Sequence, residues 1–191
     1  MMAKLENKLE LLTAKTAQET LDLVKSENPD LKYMKMALEE AKKAGELGEI
    51  PIGAVLVYEG KVIARAHNMR EDWQDATAHA EVIVIRNACE KLKKWRLTGA
   101  TLYVTIEPCP MCAGAIVMSR ISRLVYGSED SKAGACGSLF NIVNNEGLNH
   151  EVETVCGVCS EECRDLMKNF FKKRRAENKK KKKLLNLKNN S

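Results

Sequence analysis

Thr101-Leu102-Tyr103-Val104-Thr105-Ile106-Glu107-Pro108-Cys109-Pro110-Met111-Cys112 reads as a strand that runs straight into the start of a helix. Residues 101–106 are β-branched, aromatic or leucine throughout, the composition of a buried strand. Pro108 and Pro110 then mark a helix start, because proline fits a first turn whose N–H groups have no partner within the helix. Cys109 and Cys112 are three apart, so a first turn puts both thiols on one face, and the positive end of the helix favours their thiolate forms. Two thiols at the carboxyl end of a strand lie where open α/β sheets bind ligands.

Upstream, His79-Ala80-Glu81 completes the set. Asp75 and Thr77 offer capping side chains ahead of an apolar-periodic stretch, 78–92, which predicts that His79 and Glu81 fall in a first helical turn. Two helix starts then converge on one metal. One His and two Cys supply three ligands and leave the fourth tetrahedral position to water, as in a catalytic zinc site; a structural site is closed by four side chains. Zinc lowers the pKa of bound water from about 15.7 to roughly 7, which removes roughly 12 kcal/mol from the cost of hydroxide at neutral pH. Glu81, beside the histidine but not of the expected ligand type, is the candidate proton carrier. A Cys-x-x-Cys alone reads equally as a redox pair or as half of a structural zinc site. The His-x-Glu, the prolines and the strand-to-helix context favour the hydrolytic reading.

The rest of the chain reads as α/β. An amphipathic helix is predicted over 31–44, and a hairpin over 53–58 and 61–67 around Glu59-Gly60. The helix 78–92, the strand 101–106, the helix 109–118 and the strand 123–126 then alternate, the pattern of a mixed sheet covered by helices. A polar, glycine-rich loop over 128–137 precedes a short helix over 138–143, a last strand over 151–155 and a long terminal helix from 160 to about 180.

With 191 residues, 45% of them hydrophobic, the chain suffices for one modest domain. Seven cysteines without a secretory signal or long apolar run predict a reducing, cytoplasmic setting and no membrane association. Charge is uneven. Residues 168–191 carry eleven basic side chains and one acid, net +10 against a whole-chain +5, which leaves −5 for residues 1–167. Such an end attracts polyphosphate, RNA above all, although the run 179–183 also reads as a solvated helix end. Phe170, Phe171, Arg174 and Arg175 place aromatics beside arginines, a combination suited to unstacked loop bases and their phosphates.

The His-x-Glu and Pro-Cys-x-x-Cys pair resembles the signature of the cytidine-deaminase-like zinc hydrolases. Within that superfamily, 31–173 is similar to the bacterial tRNA adenosine deaminases. The likeness is carried by Glu49-Ile50-Pro51-Ile52-Gly53-Ala54-Val55, Asn68, Ala76 to Glu81, Ala100 to Thr105, Glu107 to Ala115, Ser119-Arg120-Ile121 and Gly134 to Leu139, with Asn149-His150, Glu162-Cys163 and Phe170-Phe171 further on. The resemblance implies a three-layer α/β/α fold around a five-stranded mixed sheet, and one zinc per subunit held by His79, Cys109 and Cys112. It implies hydrolytic conversion of adenosine to inosine at the wobble position of a tRNA anticodon stem-loop, with Glu81 catalytic. It also implies that Asn68 binds the flipped nucleoside, that Asp130, Lys132 and Phe171 lie near the RNA, and that the enzyme is a homodimer.

Two other functions stay open: deamination of a free base such as guanine or cytosine, whose enzymes share the zinc site, and an inactive zinc-containing RNA-binding module, against which the intact Glu81 argues. Residues 1–30 lie outside the resemblance and predict a helical extension, with Leu5, Leu9 and Leu12 at helical spacing; 174–191 is a basic tail. Cys156, Cys159 and Cys163 read either as ordinary thiols or as a second metal cluster without an evident fourth ligand. Cys136, in a loop near the expected site, is a candidate reactive thiol, and His67 and His150 are spare imidazoles most simply read as structural.

Overall fold

A computed structural model describes residues 28–189, with side chains through Lys182; the expected extension at 1–30 lies almost wholly outside the described residues. The elements follow in the order α1 (Pro29–Glu46), β1 (Gly53–Tyr58), β2 (Lys61–His67), α2 (Arg70–Trp73), α3 (Ala80–Leu92), β3 (Ala100–Ile106), α4 (Pro110–Met118), β4 (Arg123–Ser128), β5 (Glu153–Cys156) and α5 (Ser160–Asn189).

The five strands form one mixed sheet in the order β2-β1-β3-β4-β5. β1 is antiparallel to both β2 and β3, whereas β3, β4 and β5 run parallel. The pleat sorts the side chains into two cores. Ala54, Leu56, Leu102, Val104, Leu124 and Tyr126 face Ala80, Val84 and Ala88 of α3 and Ala113, Ile116 and Val117 of α4. Their neighbours Val55, Val57, Tyr103 and Val125 point the other way, onto Met34, Ala37 and Leu38 of α1 and Cys163 of α5. Alternation with period two thus builds the expected three layers. Two buried contacts demand glycine. A Cβ on Gly53 would lie 2.1 Å from the Ala37 carbonyl oxygen, and one on Gly127 would lie 2.3 Å from Cys163 Sγ.

Three local expectations need correction. Residues 138–143 are not helical: Cys136 and Asn141 form an isolated bridge, and the N–H groups of Leu139, Phe140 and Ile142 go back to the carbonyls of Gly134 and Ala135 instead of along a helix. The predicted capping of α3 by Asp75 and Thr77 is also replaced. Asp75 Oδ1 instead accepts from the N–H and the hydroxyl of Thr77, both at 2.7 Å, an Asx turn ahead of the helix. The terminal helix runs past the expected stop near 180 to Asn189, because nothing in the lysine run breaks it.

Candidate active site

β3 ends at Ile106 and the chain reaches Cys109 within three residues; on the same side of the sheet α3 begins at Ala80. His79 and Cys109 are the N-cap residues of α3 and α4, both with extended backbone (φ −81°, ψ 148° and φ −72°, ψ 172°). That conformation turns each side chain off its helix axis and toward the other. Cys112 follows one turn into α4. The Cys109 and Cys112 sulfurs lie 3.7 and 3.5 Å from His79 Nδ1, and the three form a group able to hold a metal ion, the one such group of three or more among the described residues.

The hydrogen bond from Cys112 first, then that of His79, holds Cys109 down to about 4 against burial that would raise it. The same bond, with burial and the nearby Glu81, raises Cys112. His79 is raised chiefly by its hydrogen bond to Cys109, burial opposing. Glu81, in the first turn of α3, is 3% exposed, and among the described residues its Oε2 has no hydrogen-bond partner. Burial pushes its carboxyl above the ordinary value.

These groups floor a cleft of about 360 Å³, within the usual range for small-ligand sites. Asn68, His79, Glu81, Cys109, Asp130, Lys132 and Phe171 all line it, so the structure brings seven of the ten residues singled out from sequence to one cavity. Cys112 sits buried behind it. Arg174 is turned aside: its Nη1 donates to the Gly48 carbonyl at 3.1 Å and its guanidinium lies over Phe170. Arg175 is exposed on the helix beyond.

The sequence reading missed one contact of Asn68 and several further residues. Asn68 Oδ1 accepts the Ala80 N–H at 2.9 Å, so Asn68 caps the start of α3; among the described residues its NH2 makes no hydrogen bond. Glu107, 3% exposed, accepts from the N–H groups of Asp130, Cys136 and Ser138 and from the Ser138 hydroxyl, tying the loop that carries Asp130 and Lys132 to the end of β3. Burial would raise its carboxyl, but those donors hold it below the ordinary value. A Cβ on Gly134 would lie 2.3 Å from Glu107 Oε2. Arg70 also lines the cleft, as do Arg164 and Met167; the spacing Arg164, Met167, Phe171 is one helical face, a signal available in the sequence.

The remaining candidates take structural places. His67 Nδ1 lies 3.0 Å from Glu40, and His150 Nε2 lies 2.7 Å from the Ile121 carbonyl. Among the described residues Cys156, Cys159 and Cys163 form no metal-holding group; burial pushes the Cys163 thiol up to about 12. Cys136 is buried, and burial raises its thiol, so the reading of a reactive cysteine is withdrawn. Among the described residues no helix is long and apolar enough to cross a membrane.

Comparison with known proteins agrees with this geometry. Residues 28–175 match the MafB19-like deaminase family. A tRNA-specific adenosine deaminase of Bacillus subtilis is 57% identical over 143 residues, 75% of this chain and 89% of that one. One from Haemophilus influenzae is 50% identical over 147 residues, 76% and 85% of the two chains. A structure from biochemical and structural studies of A-to-I editing by tRNA:A34 deaminases at the wobble position of transfer RNA superposes with a TM-score of 0.69 at 48% identity, covering 71% of this chain and 98% of that one. A guanine deaminase from Nitrosomonas europaea shares the fold, with a TM-score of 0.62 at 22% identity over 73% of this chain and 83% of its own.

Proposed function

The chain belongs to the MafB19-like deaminase family, and from that membership and its tRNA-specific relatives we propose that it hydrolyses adenosine to inosine at the wobble position of a tRNA anticodon. The observation that carries the reading is the buried, unpartnered Glu81 Oε2 beside the His79, Cys109 and Cys112 group at the floor of a cleft. An unpaired buried carboxylate oxygen costs free energy, and a reacting molecule that brings a proton to it removes that cost.

The three ligands fit zinc. Around a tetrahedral zinc with bonds of about 2.3 Å to sulfur and 2.0–2.1 Å to nitrogen, sulfur and nitrogen stand about 3.6 Å apart; here they stand 3.7 and 3.5 Å apart. A zinc ion held there supplies Lewis-acid activation of the attacking water and draws both sulfurs into the thiolate form. Glu81 takes a proton from that water and delivers one to N1 as the oxygen adds to C6. A second proton goes to the amino group, which leaves as ammonia, so adenosine and water become inosine and ammonia. A carboxyl raised by burial is the stronger base for the first step.

With its oxygen committed to Ala80, Asn68 offers its NH2 to the flipped purine. Ile50, Ile52, Ile106 and Phe171 supply apolar and aromatic walls. Lys132 and Arg164 bring positive charge to the rim, where phosphates flanking an unstacked loop base would lie. The setting is the cytoplasm, where thiols stay reduced. A homodimer is the working unit: α4 leaves Met118 66% exposed, and the loop after β4 leaves Leu139 and Phe140 51% and 58% exposed, apolar surface that a second copy would cover. Light scattering tests that state, and the activity itself is tested by measuring inosine in tRNA treated with the zinc-loaded protein.

A further inference from the structure

One side of α5 walls the cleft with Arg164, Met167 and Phe171, and the helix then leaves the body. Among the described residues, the hydrogen bond from Arg174 to Gly48 is the last that ties it to the body. From Lys172 through Lys182 every residue is exposed. The helix continues to Asn189, so the stretch beyond Phe171 reaches about 27 Å from the cleft at 1.5 Å per residue.

Its charge is of one sign. Residues 172–189 hold ten lysines and arginines and one acid, Glu177. At 100° per residue, Lys179 through Lys182 point to all sides of the helix rather than along one stripe. Like charges at these spacings repel, and a helix that buries no face has little else to hold it. A partner that neutralises charge all round would therefore both bind and order it. An acidic protein face would match a stripe; a charge without a preferred side suits a phosphate backbone, which is read by counterion release rather than by side-chain docking.

We propose that 179–183 of α5 forms a cationic arm that binds the phosphates of the RNA helix adjoining the base held in the cleft, and so extends recognition from the anticodon loop to its stem. The proposal rests on the tRNA reading above. The arm adds affinity and leaves the chemical step untouched, because it lies about 12–18 Å along the helix from Phe171.

The test compares the full chain with K179Q/K180Q/K181Q/K182Q/K183Q, which keeps helix-forming side chains. Binding and deamination are followed on an anticodon hairpin with its full stem and on one whose stem is cut to two base pairs, each across a salt series, with anionic lipid vesicles as a separate binding partner. The expected result is binding to the full-stem hairpin at least tenfold weaker at about 0.1 M salt, with a log–log salt slope shallower by about two to three. Binding to the short hairpin changes less than twofold, and kcat is unchanged on both. Helix content measured by circular dichroism rises when the full-stem hairpin is added to the unsubstituted protein and not to the variant. Equal salt slopes for the two proteins, equal losses on the two hairpins, or a loss confined to vesicle binding would each overturn the proposal. Failure to make inosine on either hairpin while these binding differences persist would instead count against the proposed activity and leave the arm standing.

Discussion

Asn68 caps the helix that carries Glu81: its Oδ1 accepts the Ala80 N–H at 2.9 Å, twelve residues along the chain. One side chain thus links the lining of the cleft to the start of α3. Asn68→Asp keeps the acceptor and loses the donor, so folding stability should stay within about 0.5 kcal/mol while KM for RNA rises at least tenfold. Asn68→Ala loses both, with a further cost of about 1 kcal/mol, or 2–4 °C in Tm. Chemical denaturation and steady-state kinetics on the two variants separate the roles; equal stability loss in both would remove the cap from the account.

Glu107 and Gly134 form a second such device. Four donors converge on the Glu107 carboxylate, and Gly134 leaves no room for a Cβ against it. Glu107→Gln replaces an acceptor with a donor that faces other donors. It should cost about 2–3 kcal/mol and raise KM more than it lowers kcat, because the loop carrying Asp130 and Lys132 loosens. Gly134→Ala should act in the same direction, and unchanged kinetics in both would show that the loop does not serve the substrate.

A pH dependence of stability follows from Asp30. Hydrogen bonds from Arg123, at 2.8 and 2.9 Å, hold its carboxyl below the ordinary value against burial, and Tyr103 adds another. A depressed carboxyl stabilises the fold above its unfolded value, near 3.9, and that contribution is lost as pH falls through the lower folded value. Asp30→Asn should therefore cost about 1.5–3 kcal/mol at pH 7, with the gap to the unsubstituted protein narrowing below pH about 4 in denaturant titrations. A gap that stayed constant with pH would point to packing instead.

Removal of metal should abolish activity and lower Tm, and one equivalent of zinc per subunit should restore both, since a ligand bound only by the folded state stabilises it by mass action. Metal content by atomic absorption checks the ratio. Glu81→Ala should retain that zinc while losing at least about 10²-fold in rate.

Much of this was legible in the chain. The alternating runs at 53–58, 101–106 and 123–126 specified both faces of the sheet, and Pro110 with Cys109 announced the start of α4 to within a residue. What stayed hidden depends on partners distant in sequence. Nothing near Asn68 shows that it caps a helix twelve residues away, and Glu107 reads as an ordinary acid until the loop 130–138 closes over it. The helix expected at 138–143 failed for a similar reason: the carbonyls of Gly134 and Ala135 take the N–H groups of Leu139, Phe140 and Ile142. Nothing near Arg174 in sequence shows its bond to the Gly48 carbonyl, 126 residues away.

The central claim is that adenosine in the anticodon of tRNA is the substrate. The most direct measurement is nucleoside analysis of tRNA bearing a wobble adenosine after incubation with the zinc-loaded protein, with free guanine and cytosine assayed in parallel for ammonia. The account predicts one inosine per tRNA, matched by one ammonia, and no release from either base; ammonia from guanine or cytosine with no inosine in the tRNA would contradict it.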